Sequence, residues 1–133
     1  MDATTAAQAW IDGWSRAWPA EDAEAVAALY TDDVVYRSHP EREPHLGRAG
    51  VLAYARQAFA EETLVEARYG RPIAAGDRAA VEYWALLTGE DGEALTLTGA
   101  AMLRFAPDGR VAEHREYWTM QRGHSSPPPG WGE

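Results

Sequence analysis

The run GRVAEHREYW, residues 109–118, places titratable side chains on both parities of what reads as a β-strand. One face would carry Ala112, His114, Glu116 and Trp118. The other would carry Val111, Glu113, Arg115 and Tyr117. If the first face looks inward, an imidazole and a carboxylate lie together in the interior. That pairing suits proton transfer. A base that titrates near neutrality is suited to taking a proton from a carbon next to a carbonyl. His39, in the run SHP, is a second candidate base, because histidine titrates there without perturbation. Glu82 is a second candidate carboxyl, since burial among aromatic rings lets such a group act as acid or base. Trp14, Ser38 and Tyr54 could donate hydrogen bonds to an enolate oxygen.

Elements must bring these residues together. Ala7, Trp10, Ile11, Trp14 and Trp18 recur at helical spacing, which predicts an amphipathic helix over residues 4–18, stopped by Pro19. Ala23, Val26, Ala27 and Tyr30 mark a second helix, with Glu21 and Asp22 near its N-terminus, where the helix dipole favours acids. A short strand follows, Val34 to Ser38, ended by Pro40. EREPHLG reads as a polar loop, and RAGVLAYARQAFAEE as a third helix with Val51, Tyr54, Ala55 and Phe59 on one face. Leu64–Ile73, Ala79–Thr88, Ala94–Phe105 and Arg110–Gln121 are strand-like, rich in β-branched and aromatic residues. AAGD, EDGE and PDGR between them are turn chemistry. Three helices followed by strands make an α+β domain: a curved antiparallel sheet, cone-shaped, wrapped around the helices and enclosing a pocket. The domain is expected to span residues 1–122. The Pro/Gly-rich tail, 123–133, is expected to be mobile.

Turn arithmetic ranks the faces. If Asp91-Gly92 is a two-residue type I′ turn, Glu82 pairs with Ala101, Trp84 with Gly99, and Leu86 with Leu97. If Asp108-Gly109 is another, Leu103 faces His114, Ala101 faces Glu116, and Gly99 faces Trp118. APDGR could instead form a type I turn with a bulged Gly109, turning Glu113 and Arg115 to that face. The first option places Glu82 and Glu116 on either side of Ala101, about 10 Å apart, and two indoles beside a glycine. Large aromatics flanking Gly and Ala look like pocket construction. The opposite face gets Arg104 against Glu113, a surface ion pair.

Composition narrows the partners. The chain has 133 residues, a net charge of −9, no cysteine, six Trp and six Tyr. The acidic balance disfavours nucleic acid and anionic membranes, both of which need a basic surface. Disulfides and thiolate metal sites are excluded. No basic-then-apolar leader opens the chain and no run is long enough to span a bilayer, so a cytoplasmic protein is expected. Two histidines and two glutamates match no metal-ligand spacing, so neither metal nor cofactor is expected.

The order of elements, with ALYTDDVVYRSHP, PHLGRAGVLAYA and LRFAPDGRVAEHREYW in sequence from about Trp10 to Gln121, resembles the SnoaL-like polyketide cyclase family of the nuclear transport factor 2-like superfamily. The resemblance implies the cone fold, a pocket closed by the first and third helices, and a homodimer through the outer sheet face, here Met102, Tyr117 and Ala100. Ketosteroid isomerases share the cone, and LRFAPDGRV is similar to their penultimate hairpin. Their pocket positions would fall on Glu82, Trp84, Leu86, Ala101, Leu103, His114 and Trp118, with Glu116 also inward. Their general-base position would fall near His39, their oxyanion tyrosine on Trp14, and their protonated aspartate on Ala101. The cyclases' last-strand aspartate would fall near Thr119. These departures disfavour steroid isomerisation. Two histidines with a carboxylate are also similar to the superfamily's dehydratases.

The resulting expectation is a cofactor-free isomerase, cyclase or dehydratase acting on a small, mostly apolar or aromatic carbonyl compound. His39, His114, Glu116 and Glu82 would be catalytic. Trp14, Trp18, Tyr36, Ser38, Tyr54, Trp84, Leu86, Ala101, Leu103 and Trp118 would line the site. The alternatives are a non-catalytic binding module and a structural dimer whose aromatics fill the cone. In those readings the tryptophan stripe is core, and His114–Glu116 is a buried structural pair.

Overall fold

A computed structural model describes residues 1–133. The first helix, α1 (Ala3–Ala20), begins where the Asp2 side chain accepts the Thr5 N–H, satisfying an otherwise orphan donor. Pro19 sits inside its last turn rather than ending it; the helix stops at Glu21, in the left-handed region with φ 52°. A short α2 (Ala23–Ala27) is capped by Asp22. The expected extension of this helix to Tyr30 does not occur: Tyr30 opens strand β1 (Tyr30–Arg37). The loop expected at EREPHLG contains a two-residue strand, β2 (His45–Leu46), paired with β1. Helix α3 (Gly47–Glu61) follows. The expected strand over 64–73 is two strands, β3 (Thr63–Tyr69) and β4 (Ile73–Ala75). The long strands are β5 (Arg78–Thr88), β6 (Ala94–Phe105) and β7 (Val111–Arg122).

The fold is α+β, as expected. Seven strands form one open, curved sheet in the order β2-β1-β7-β6-β5-β3, with β4 also on β5. All pairs are antiparallel except β1 with β7, which is parallel. The helices pack against the concave face. Ala6, Ala7, Trp10, Ile11 and Trp14 of α1 join Val51 and Ala55 of α3 and Val34, Val81, Ala101, Leu103 and Val111 of the sheet in one core.

Two turns decide which side chains share that concave face. In both, a type I turn is followed by a left-handed glycine, Gly92 (φ 77°) and Gly109 (φ 88°), a conformation only glycine adopts cheaply. Gly92 N–H bonds to Gly89 O while Gly89 N–H bonds to Glu93 O, closing a three-residue loop rather than a two-residue one. The β5–β6 register therefore slips by one from the expected pairing: Glu82 lies against Ala100, Trp84 against Thr98 and Leu86 against Thr96. A one-residue slip turns a strand over. Glu82, Trp84 and Leu86 point to the outer face, and Val81, Tyr83, Ala85 and Leu87 are the buried set. The Gly109 turn has the same form, but a bulge beside Arg104 and Phe105 restores the expected pairing beyond it. Leu103 faces His114, Ala101 faces Glu116, and Gly99 faces Trp118.

The segment after Arg122 carries no helix or strand. It crosses the outer face, where Trp84 Nε1 donates to Ser125 O at 2.8 Å and Arg71 N–H to Gly132 O at 2.7 Å. Trp131 meets Trp84 edge to face.

Candidate functional site

His114 is fully buried, and Glu116, two residues along the same face of β7, is nearly so. Tyr30, at the start of β1, sits behind His114. Its hydroxyl oxygen accepts from Trp10 Nε1 at 3.1 Å and Trp14 Nε1 at 3.2 Å. Indole nitrogens only donate, so both lone pairs of that oxygen are taken. The Tyr30 proton must then go to its remaining partner, His114 Nδ1, 3.0 Å away. Nδ1 is therefore an acceptor, and the ring is neutral with its hydrogen on Nε2. Nε2 lies 3.0 Å from Glu116 Oε1 but off the line of a good hydrogen bond, so the contact is close yet bent.

Two tyrosines complete the environment of Glu116. Tyr36 on β1 donates to Oε1 at 2.8 Å, and Tyr83 on β5 donates to Oε2 at 3.2 Å. Burial first, and the Glu116 charge second, hold the phenols of Tyr36, Tyr54, Tyr69 and Tyr83 far above their ordinary range, so all remain donors. An ionised carboxylate has about four acceptor positions. Tyr36, Tyr83 and His114 approach three of them, leaving one for an incoming group.

Glu116 forms part of the wall of a cavity of about 80 Å³. Trp10, Trp14 and Trp18 of α1, Tyr36, Tyr54, Phe59, Tyr69, Tyr83, Leu97, Ala58 and Glu62 form the rest. α1 presents its three indoles at helical spacing, successive rings edge to face. A wider vestibule of about 410 Å³ adjoins it and shares Tyr54, Ala58, Glu62, Leu97 and Glu116. Ser38, His45 and Trp118 line that vestibule. Ser38 Oγ and His45 Nε2 pair at 2.9 Å, and Ser38 O accepts Trp118 Nε1 at 2.7 Å. Burial pushes the His45 imidazole below its usual value. Glu62, at the junction of the two spaces, is pushed up by burial and then by neighbouring Glu61. A larger hollow beside Met1, Asp33 and Arg104 lies away from all of these groups.

The structure thus gathers Trp14, Trp18, Tyr36, Tyr54 and Glu116 around one cavity, with Ser38 and Trp118 at its vestibule and His114 behind Glu116. Ala101 and Leu103 are fully buried floor residues of the core. Glu82, Trp84 and Leu86 stand on the opposite face, for the register reason given above. His39 is half-buried; its Nδ1 accepts the Glu41 N–H, and its ring meets Trp118 edge-on, outside both spaces. Trp10, Ala58, Phe59, Glu62, Tyr69, Tyr83 and Leu97 also line the cavity and lie outside the expected site residues. Tyr83 lies between Glu82 and Trp84 on β5 and takes the inner face they do not, and Glu62 closes the third helix beside Phe59. Nowhere do three or more His, Asp or Glu side chains converge as a metal site would require. No helix is long and apolar enough to cross a membrane.

The family model described as SnoaL-like domain matches residues 7–114. A comparison with curated proteins returns no match. Solved structures are similar in fold. An LEH-like epoxide hydrolase of M. tuberculosis shares 22% identity over 87% of this chain and 84% of that one, with TM-score 0.70. The epoxide hydrolase/cyclase-like enzyme SalBIII, of pyran ring formation in polyether salinomycin, shares 18% over 87% and 95%, with TM-score 0.74. A protein with a ketosteroid isomerase-like fold from Catenulispora acidiphila, in complex with trimethylamine, shares 18% over 83% and 85%, with TM-score 0.69. At these identities the likeness is one of fold.

Proposed function

The chain belongs to the SnoaL-like domain family, and from that premise we propose that it is a cofactor-free acid/base enzyme acting on a small carbonyl or polyketide-like molecule. The observation that carries the reading is the Glu116 carboxylate, set into an aromatic cavity and held by the Tyr36 and Tyr83 hydroxyls. Glu116 is the base: its free acceptor position takes a proton from carbon next to the substrate carbonyl. Tyr54, whose phenol stays protonated and faces the same cavity, donates to the enolate oxygen as charge develops there. Glu62, held toward its neutral form, returns a proton at the junction of cavity and vestibule. Removal and return at different positions is isomerisation; return to a leaving hydroxyl is dehydration. His114 acts through Glu116, not on the substrate. The protein works in the cytoplasm as a homodimer, its outer sheet face with half-exposed Tyr117 forming the contact. Similarity in fold to an epoxide hydrolase and to an epoxide hydrolase/cyclase-like enzyme supports small-molecule chemistry in the cone.

Solvent deuterium exchange into a panel of small cyclic ketones, followed by NMR, tests the reading without knowledge of the natural substrate. Wild-type protein should accelerate exchange for at least one ketone, and Glu116→Gln should not. Ligand binding with no exchange by the wild type would instead favour the non-catalytic binding module.

A further inference from the structure

Eight of the twelve residues around the inner cavity are aromatic, and the only other polar ones are Glu62 and Glu116. No arginine or histidine joins them. Aromatic walls alone would suit any apolar molecule, and carboxylates alone would suit water. Together they suit a ligand whose surface is apolar and whose charge is positive. From this we infer that the cavity is a cage for a small alkylated ammonium group, the cation lying against the indole and phenol rings with Glu116 as its counter-charge.

Three features support the inference. The rings form a box rather than a stack: Trp10 meets Trp14 at 60°, Trp14 meets Trp18 at 73°, and Trp10 meets Tyr69 at 83°. Rings set at such angles around one space do not lie flat on one another, and an aromatic face left open to that space is the negative part of the quadrupole that attracts a cation. Second, neither carboxylate has an internal cation. The arginine ion pairs go to Asp32, Glu24, Glu66, Asp108 and Glu113. The single imidazole beside Glu116 is held neutral by the Tyr30 hydroxyl. Third, the size fits. A cavity near 150 Å³ holds benzene, so about 80 Å³ suits roughly three or four heavy atoms, the size of a trimethylammonium head. A longer substituent would run into the polar vestibule past Gln57 and Arg42. A methylated ammonium also lacks the N–H groups that would need further acceptors in an aromatic box.

The inference concerns the cavity and the Glu116 carboxylate of the proton-transfer reading, and the two are told apart because ligand binding is read separately from exchange. Choline and its uncharged carbon isostere, 3,3-dimethyl-1-butanol, are titrated into the full chain, with tryptophan fluorescence and calorimetry as readouts. Choline should bind about ten-fold or more tightly than the isostere, the scale of a desolvated cation–π contact. Glu116→Gln should erase that preference while its circular dichroism stays native, and the exposed surface variant Glu66→Gln should keep it. An isostere that binds as well as choline, or no binding of choline at any concentration up to tens of millimolar, overturns the cage. Choline binding without ketone exchange would leave the cage standing and remove the catalytic reading; exchange without a cation preference would do the reverse.

Discussion

Replacing Tyr30 with phenylalanine isolates one oxygen on which three buried groups depend. The ring stacks on His114 and Tyr36 in parallel planes, and phenylalanine preserves that packing. What is lost is the partner of Trp10 Nε1, Trp14 Nε1 and His114 Nδ1 at once. Each buried polar group left without a partner costs about 1–3 kcal/mol, so three cost about 3–9 kcal/mol. A domain of this size is stable by about 5–15 kcal/mol, so the change consumes much of the margin. Urea unfolding measures it directly: the midpoint should fall by at least about 1 M at unchanged slope. Glu90→Gln, exposed in the turn between β5 and β6, should stay within about 0.5 kcal/mol of wild type. The Tyr30 change should also release His114 from a single tautomer, visible in long-range ¹⁵N–¹H spectra as loss of the Nε2–H signature. A Tyr30→Phe protein within about 1 kcal/mol of wild type, with His114 unchanged, would refute the hydrogen-bond count on which the neutral imidazole rests.

Two further changes probe the frame around the site. In Gly99→Ala the new Cβ would lie 2.5 Å from Tyr117 O and 2.8 Å from Trp118 Cβ, so backbone must move; a loss of about 1–3 kcal/mol is expected by thermal or urea unfolding. Glu62 tests pH linkage. Its folded carboxyl titrates above the ordinary value of 4.5, so as pH rises the unfolded chain releases that proton first and stability is lost from about pH 4.5 up to the folded value. Glu62→Gln removes this penalty. The variant should gain on wild type between pH 4 and pH 7 in paired urea midpoints, and a constant gap would speak against the buried, acid-facing position.

The three helices, the strand-like character of the long C-terminal segments and the inward turn of His114 and Glu116 were legible in the sequence, because those depend on periodicity over many residues. It did not carry the position of Glu82. An aspartate-glycine pair serves a two-residue turn and a type I turn with a left-handed glycine equally well, and the difference is one residue of register. On β5 that residue exchanges Glu82 and Trp84 for Val81 and Tyr83 on the inner face. On β6–β7 the same turn did no harm, because a bulge beside Arg104 cancelled the shift. Bulges leave little trace in composition. His45 reads as a loop residue, since two residues of strand are too short for any pattern; tertiary pairing with Val35 and Tyr36 makes His45 and Leu46 into β2. Glu62 was hidden for a different reason. A charged residue ending a helix normally faces water, and only the closing of α3 over the cone puts this one at a cavity rim.

Glu116 and Glu82 were equal candidates by residue type, and the sheet separates them onto opposite faces. The most direct measurement is therefore ketone deuterium exchange by wild type, Glu116→Gln and Glu82→Gln, each shown to be folded. The account predicts that Glu116→Gln loses about 10²–10⁴-fold, the ordinary worth of a positioned base, and that Glu82→Gln keeps the wild-type rate. Exchange that survives Glu116→Gln, or that falls with Glu82→Gln instead, would contradict it.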